Sequence, residues 1–404
     1  MTSAVEPFID DLPGVPRQPV ILQVLPRLVT GGVERGTVEV AAALVEAGWT
    51  PLVASAGGPM VRELDRLGVE HIGLPLHSKN PLVMYANVRR LEALLRERGV
   101  DLVHARSRAP AWSAMIAARR AGRHFVTTFH GTYNLGGMGL KRRYNAVMAR
   151  GERVIAISDF IALHIQREYG TPPERIRIIH RGVDLARFDP ARVGPDRLVE
   201  LARKWRIPDG RPLIMLPGRL TRWKGQAVLI EAMALLGRRD LCCLIVGSDQ
   251  GRTAYRDELE ELVRRRDLEE VVRIVGDCAD MPAAYKLADV VVSASTDPEA
   301  FGRVAVEAQA MGRPVIASDH GGARETVLPG VTGWLTRPGD AVSLAAALGS
   351  ALAVNGYQRE RMSGAAMEFV RRNFSTEAMC ARTLQVYADV LASPPPGTAE
   401  VEAV

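Results

Sequence analysis

Short runs of aliphatic and β-branched residues alternate with amphipathic helical patterns along almost the whole chain. This alternation is typical of βαβ units, whose strands form a parallel sheet with helices on both faces. The runs predicted as strands are Val20–Leu25, Pro51–Ala54, Asp101–His104, His124–Phe129, Arg153–Ile157, Leu213–Leu216, Leu241–Val246, Val271–Val275, Val290–Ala294 and Pro314–Ala317. The pattern therefore predicts an α/β protein built from parallel sheets.

The strand series is interrupted once, over Arg181–Asp209, a stretch rich in Pro, Asp and Gly that is predicted to link two domains. A chain of 404 residues is long enough for two or three domains with separate cores. We predict two doubly wound, Rossmann-like domains, residues 1–185 and 186–374. The helix predicted over Ser375–Leu391 and a disordered, proline-containing tail over 393–404 follow them.

Composition excludes several protein classes. No segment approaches the roughly 20 uncharged apolar residues of a membrane-spanning helix. Residues 1–19 carry four prolines and acidic residues without an apolar run, so no secretory signal is predicted. The four cysteines lack metal-ligand spacing and are expected to be free thiols of a reducing compartment. We therefore expect a cytoplasmic protein.

Positive charge is concentrated in the first half of the chain. Residues 1–190 contain 25 Lys and Arg against 18 Asp and Glu, whereas residues 191–404 contain 27 against 28. The excess indicates an anionic partner: a nucleic acid, a phosphorylated substrate or an acidic membrane surface. The segment Gly136–Arg150 mixes cations with Leu140, Tyr144, Val147 and Met148. This mixture suggests an interfacial helix that would bring the protein to the inner face of the cytoplasmic membrane, although a solvated charged helix is the commoner structure.

The second half contains two glutamates close to one predicted helix start. Glu299 precedes the helix expected near Phe301 and Gly302, and Glu307 lies inside it. A helix N-terminus at the carboxyl end of a parallel strand is an anion site. A carboxylate there can accept hydrogen bonds from the vicinal hydroxyls of a ribose or hexose.

A second motif follows the first strand of that half, where Arg219 and Lys224 lie five residues apart. At the mouth of a βα loop, a guanidinium fork and an ammonium group suit a diphosphate. Gly321 and Gly322 precede another predicted helix, where they permit either close approach to a ligand or a plain turn.

In the first half, Gly31 and Gly32 follow the first strand and open a helix, a position that can cradle phosphate. His130 ends the strand His124–Phe129 and is the histidine best placed for chemistry. Neither a GxGxxG fingerprint nor a Walker A loop is present, which disfavours a dinucleotide-dependent dehydrogenase. Together, cations for a diphosphate and carboxylates for hydroxyls, on two similar domains facing a cleft, predict a nucleotide-sugar site.

The chain resembles the retaining glycosyltransferases of family 4, which have the GT-B fold, from Val20 to Leu391. The resemblance implies that the helix over 375–391 packs back on the first domain. The resemblance rests on the motifs at Gly31-Gly32-Val33-Glu34, His130, Gly218-Arg219, Lys224-Gly225, Glu299 to Glu307, and Gly321-Gly322 with Glu325. It implies that Arg219 and Lys224 bind the donor diphosphate and that Glu307 binds the ribose. It also implies that Glu299, with the Phe301 and Gly302 amides, binds the transferred sugar, while His130 and the Gly31-Gly32 loop close over that sugar. Arg181 stands where the family often has Asn, so hinge and acceptor details are not carried over.

The resemblance implies transfer of a hexose-type sugar from a nucleotide-diphosphate sugar to a glycan or lipid-linked acceptor, with anomeric retention. No cofactor or nucleic-acid partner is expected, and the sequence lacks the Asp-x-Asp by which metal-dependent transferases bind their cation. Two alternatives remain open: a nucleotide-sugar epimerase on the same fold, and a non-catalytic nucleotide-sugar-binding protein.

Overall fold

The computed structural model describes residues 18–29, 31–133 and 139–395. The chain forms two compact units: the first comprises the residues up to His180 with those from Glu377 onward, and the second comprises Arg181–Thr376. The first boundary falls after His180 rather than after residue 185. Residues 396–404 of the predicted tail lie outside the described residues.

The first unit contains a parallel sheet with helices between its strands. The strands are β1 (Val20–Val24), β2 (Thr50–Ser55), β3 (Glu70–Gly73), β4 (Leu102–Ala105), β5 (His124–Phe129), β6 (Arg153–Ala156) and β7 (Ile176–Ile178). The helices are α1 (Gly32–Glu46), α2 (Val61–Arg66), α3 (Pro81–Glu97), α4 (Arg108–Ala121), α5 (Leu140–Asn145) and α6 (Asp159–Tyr169). The strand order is β3-β2-β1-β4-β5-β6-β7, which is doubly wound.

The second unit repeats this architecture with a parallel sheet in the order β10-β9-β8-β11-β12-β13. These strands are β8 (Leu213–Pro217), β9 (Cys242–Val246), β10 (Val272–Val275), β11 (Val290–Ser293), β12 (Val315–Ser318) and β13 (Gly333–Thr336). The helices are α7 (Pro195–Trp205), α8 (Gln226–Leu236), α9 (Thr253–Arg265), α10 (Met281–Leu287), α11 (Arg303–Ala310), α12 (Ala323–Thr326), α13 (Ala341–Leu352) and α14 (Gly356–Asn373). The last helix of the chain is α15 (Thr376–Leu391).

Central strands are apolar along their whole length because helices cover both faces of each sheet. Every residue of β1, β8 and β9 is buried. In β9 these residues include Cys242 and Cys243, both free thiols. None of the helices in the described part of the chain is long and apolar enough to cross a membrane.

Two segments singled out in the sequence have more regular structure than a linker or a single helix. The linker predicted over 181–209 contains α7, whose narrow apolar stripe buries Leu201 and Trp205 among many charged residues. The interfacial helix predicted over 136–150 consists of α5 and a short 3-10 helix, Ala146–Ala149; residues 136–138 lie outside the described range. Of its apolar residues, Val147 and Met148 are fully buried in the first unit, whereas Leu140 is 67% exposed.

Helix α15 packs into the core of the first unit, where Met379, Leu384 and Tyr387 join residues of β1 and β4. The Tyr387 hydroxyl lies 2.6 Å from His104 Nδ1, and His104 Nε2 lies 2.7 Å from Thr128 Oγ1. Burial, together with the nearby Arg106 charge, places the pKa of His104 well below its ordinary value. A neutral imidazole thus connects two strands to the last helix.

We expect Tyr387→Phe to lower the free energy of unfolding by about 1–3 kcal/mol, because it leaves a buried His104 nitrogen without its partner. Urea unfolding at neutral pH measures the change. Tyr85→Phe is the matched control, since Tyr85 is 54% exposed in the same unit. Equal effects of the two substitutions on the free energy of unfolding would show that the contact between Tyr387 and His104 does not stabilise the fold.

Candidate active site

The sheet of the second unit has its topological switch point between β8 and β11. From β8 the chain continues to β9 on one side, whereas from β11 it continues to β12 on the other. In open α/β sheets the crevice for a ligand forms where such neighbours end. The loops that begin there are residues 218–225 and 294–302, and they carry Arg219, Lys224 and Glu299.

A backbone hydrogen bond joins the two loops. The Thr296 amide donates to the Trp223 carbonyl over 2.7 Å. Gly225 has a φ of +73°, and a Cβ at this residue would lie 1.8 Å from the Ala294 carbonyl oxygen. A side chain therefore cannot occupy position 225 without separating the loops. This close contact fixes Lys224 opposite Glu299.

Lys224 and Glu299 form a mostly buried ion pair. Lys224 Nζ lies 2.8 Å from Glu299 Oε1, and each side chain is 14% exposed. Nζ also lies 4.4 Å from the centroid of the Trp223 ring. Burial by itself raises the pKa of Glu299, but the Lys224 charge and the hydrogen bonds from Lys224, Ser295 and Ser293 outweigh it and lower that pKa. Glu299 is accordingly ionised at neutral pH.

The donors to Glu299 all bind one of its two oxygens. Besides Lys224, the Ser295 hydroxyl and the Ser293 hydroxyl, the latter at 3.3 Å, donate to Oε1. Oε2 accepts no hydrogen bond from the described residues. One oxygen of Glu299 thus anchors the side chain, while the other is available to a hydroxyl-bearing ligand.

Arg219 lies on the same loop but has no counterion among the described residues. Its side chain is exposed, and its guanidinium makes no hydrogen bond or ion pair with any residue that the structure describes. Its carbonyl accepts from the Gln226 side chain over 2.9 Å, which fixes the backbone at this position. Arg219 therefore combines an anchored backbone with an exposed guanidinium, on the loop that also carries Lys224.

Glu307 is held by two partners within the second unit. Helix α11 begins at Arg303 with Gly302 as its N-cap, so Glu307 is its fifth residue. Tyr285 of α10 donates to Oε2 over 3.0 Å, and Arg303 donates to Oε1 over 3.2 Å. Burial raises the pKa of Tyr285 well above its ordinary value, with a further contribution from the Glu307 charge, so its hydroxyl remains a donor. Phe301, just before the helix, is buried against Phe374.

Gly321 and Gly322 approach the protein's own backbone rather than an open ligand space. The Gly322 amide donates to the Glu299 carbonyl over 2.8 Å. A Cβ at Gly321, whose φ is +58°, would lie 2.4 Å from that same oxygen, and one at Gly322 would lie 2.5 Å from Phe301 Cα. The pair therefore supports the segment that carries Glu299 and Phe301.

The remaining predicted residues lie on the first unit, each at the carboxyl edge of its sheet. Gly31 and Gly32 open α1 after β1, with Thr30 outside the described residues. A Cβ at Gly31 would lie 2.5 Å from Glu34 Oε2, so the Glu34 carboxylate lies against this glycine. His130 follows β5 directly and is half-buried.

Sequence reasoning missed the residues that bind the two glutamates: Ser293, Ser295, Tyr285 and Arg303. The two serines could have been found, because they flank the carboxyl end of a predicted strand. Tyr285 carried no comparable signal, since an aromatic residue in an apolar helix is usually a core residue.

Known proteins match the chain along most of its length. The family described as Glycosyltransferase Family 4 matches residues 30–187, and the family described as Glycosyl transferases group 1 matches residues 199–369. The D-inositol 3-phosphate glycosyltransferase of Xylanimonas cellulosilytica is 31% identical, with 89% of this chain and 91% of the relative covered. The enzyme of that name from Salinispora tropica is also 31% identical, with 90% and 82% covered.

Solved structures agree with these relatives. A glycosyltransferase from Rickettsia africae is 39% identical with a TM-score of 0.87, over 93% of this chain and 99% of that one. HepE from Anabaena, in complex with UDP and glucose, is 25% identical with a TM-score of 0.79, over 92% and 100%.

The chain belongs to the family 4 glycosyltransferases. The predicted GT-B fold, with two Rossmann-like domains, and the predicted glycosyltransferase activity are confirmed. These comparisons do not support the epimerase alternative.

Proposed function

We propose that the protein transfers a hexose-type sugar from a nucleotide-diphosphate sugar to an acceptor, with retained anomeric configuration and without a divalent metal. The proposal is supported by the guanidinium of Arg219, which pairs with no described residue and lies on the loop of the Lys224–Glu299 pair. A diphosphate is the ligand whose charge and geometry such a fork matches. The complex of HepE with UDP and glucose makes UDP-sugars the first donors to test.

Each residue of the second unit then has a distinct task. Arg219 binds diphosphate oxygens, and Lys224, already paired with Glu299, adds positive charge beside them. Glu299 Oε2 accepts from a hydroxyl of the transferred sugar, aided by the amides at Phe301 and Gly302. Glu307 accepts from the ribose hydroxyls while Tyr285 and Arg303 hold its position.

The reaction breaks the bond between the anomeric carbon and the diphosphate oxygen and forms one to an acceptor hydroxyl oxygen. We propose attack on the same face, with the hydroxyl proton passing to the departing diphosphate. Negative charge grows on that diphosphate in the transition state, where preorganised cations and a helix N-terminus are most effective. Arg219 and Lys224 thereby do what a metal ion does in metal-dependent transferases.

For the first unit we propose the acceptor side, with His130 and the Gly31-Gly32 loop closing over the sugar. The net charge of +7 over residues 1–190 supports an acceptor that carries phosphate, in line with the D-inositol 3-phosphate in the relatives' name. A phosphorylated polyol and a lipid-linked glycan phosphate share this chemistry.

A donor panel tests the proposal. UDP-, GDP-, ADP- and CMP-sugars are screened for thermal stabilisation and for nucleotide release. One nucleotide class should stabilise the folded protein by about 2.7 kcal/mol at a hundredfold excess over Kd.

With that nucleoside diphosphate, Glu307→Gln is expected to raise Kd about tenfold, because a charge-assisted hydrogen bond to ribose is weakened. Glu231→Gln is the matched control, since Glu231 pairs with Arg266 on the surface. Absence of stabilisation by every donor, or equal Kd values for the two variants, would contradict the assignment.

A further inference from the structure

His320 contacts the loop that carries Glu299. It follows β12, and its Nε2 lies 2.9 Å from the Ser295 carbonyl oxygen. A carbonyl only accepts, so Nε2 carries the hydrogen in this contact. The other ring nitrogen, Nδ1, is buried and bonds no described residue. Among the described residues, the imidazole therefore has one hydrogen-bond partner, the Ser295 carbonyl.

Ser295 is the residue through which this contact reaches the active site. It is 2% exposed, and its hydroxyl donates to Glu299 Oε1. Rotation of the Ser295 backbone would displace this hydroxyl, so a bond that fixes the carbonyl also fixes the donor to Glu299. Gly322, two residues after His320, acts at the other end of the Glu299 loop, where its amide donates to the Glu299 carbonyl. The segment 320–322 thus supports the Glu299 loop at both ends.

On the basis of the sugar-binding role proposed for Glu299, we propose that His320 is a positioning residue for that carboxylate. By fixing Ser295, it keeps Oε1 occupied by its donors and leaves Oε2 for a hydroxyl of the transferred sugar. This role concerns the sugar and not the nucleotide, because Glu307 with Tyr285 lies outside the contact. Loss of the bond should therefore lower kcat and leave nucleotide affinity unchanged.

Substitutions at 320 distinguish the loss of the Nε2 hydrogen bond from the loss of the volume that the imidazole ring fills. The amide nitrogen of glutamine can take the place of Nε2, whereas that of asparagine is one bond shorter and takes the place of Nδ1. We expect His320→Asn and His320→Leu to lower kcat about tenfold, the loss of one interaction supporting the transition state. His320→Gln should restore most of that loss. The Asn and Gln variants should have the same Kd for the nucleoside diphosphate, and they should also have the same melting temperature.

Coupling to Ser295 is tested with a double variant. Ser295→Ala removes the hydroxyl, so His320→Leu should cost no further kcat in that background. Additive losses, wild-type kcat in His320→Asn, or failure of His320→Gln to restore kcat would overturn the positioning role. Glu299→Gln identifies which proposal fails. If it retains wild-type kcat, the role proposed for Glu299 is wrong; if it loses kcat while the His320 variants do not, only the role of His320 is wrong.

Discussion

Arg219→Ala is expected to lower kcat/KM by about 10²- to 10³-fold, the loss typical of removing one preorganised donor to a developing negative charge. The substitution should leave the fold intact, because the side chain is exposed and bonds no described residue. Arg219→Lys should recover part of the loss, since lysine supplies the charge without the two-pronged geometry. Nucleotide release under subsaturating donor measures the effect.

Arg222→Ala is the matched control on the same loop. Arg222 pairs with Glu258 over 2.6 Å and lies over the Tyr255 ring, so its substitution removes the same charge from the loop without a diphosphate contact. We expect its kcat/KM to stay close to that of the wild type. Equal losses in both variants would mean that Arg219 acts only through net charge, and wild-type turnover of a folded Arg219→Ala would exclude the diphosphate role.

Glu299→Gln is expected to have the second largest effect, a fall in kcat of about 10²-fold, because it removes the charge that accepts from the sugar in the transition state. It also leaves Lys224 without its counterion at a site where both side chains are 14% exposed. Breaking one partner of a buried pair destabilises a fold by about 3–5 kcal/mol at most, since the remaining charge is uncompensated. Loss of stability and loss of turnover must therefore be separated.

The double variant Lys224→Met with Glu299→Gln separates them. Removing both charges eliminates the uncompensated one, so the free energy of unfolding should return toward that of the wild type. Turnover should remain as low as in the single variants, because both site groups are gone. Recovery of turnover together with stability would show that the ion pair serves the fold alone.

The central strands of both sheets could be predicted from the sequence because burial on two faces leaves continuous apolar runs. The missed strands β3, β7 and β13 are edge strands, short and partly exposed. An edge strand that is partly exposed does not need a continuous apolar run, so these three strands lack the sequence pattern by which the central strands are predicted. Helix α7 was missed for a related reason: only Leu201 and Trp205 of its residues are buried.

Within the candidate site, Lys224 and Glu299 could be predicted because each follows the end of a predicted strand. The structure places Lys224 Nζ 2.8 Å from Glu299 Oε1. The sequence could not show that they form an ion pair, because that contact joins loops 75 residues apart. Nor could it show that Gly321 and Gly322 support the Glu299 backbone rather than a ligand. Partners of this kind depend on tertiary packing, which local patterns do not encode.

The most direct test of the account is proton NMR of the new glycosidic linkage, formed from the identified donor in the presence of EDTA. Arg219, Lys224 and the start of α11 supply positive charge at the proposed diphosphate position, so transfer should proceed without a divalent metal. The splitting of the anomeric proton should report the same configuration as in the donor. An inverted product, or activity that EDTA abolishes and Mg²⁺ or Mn²⁺ restores, would contradict the account.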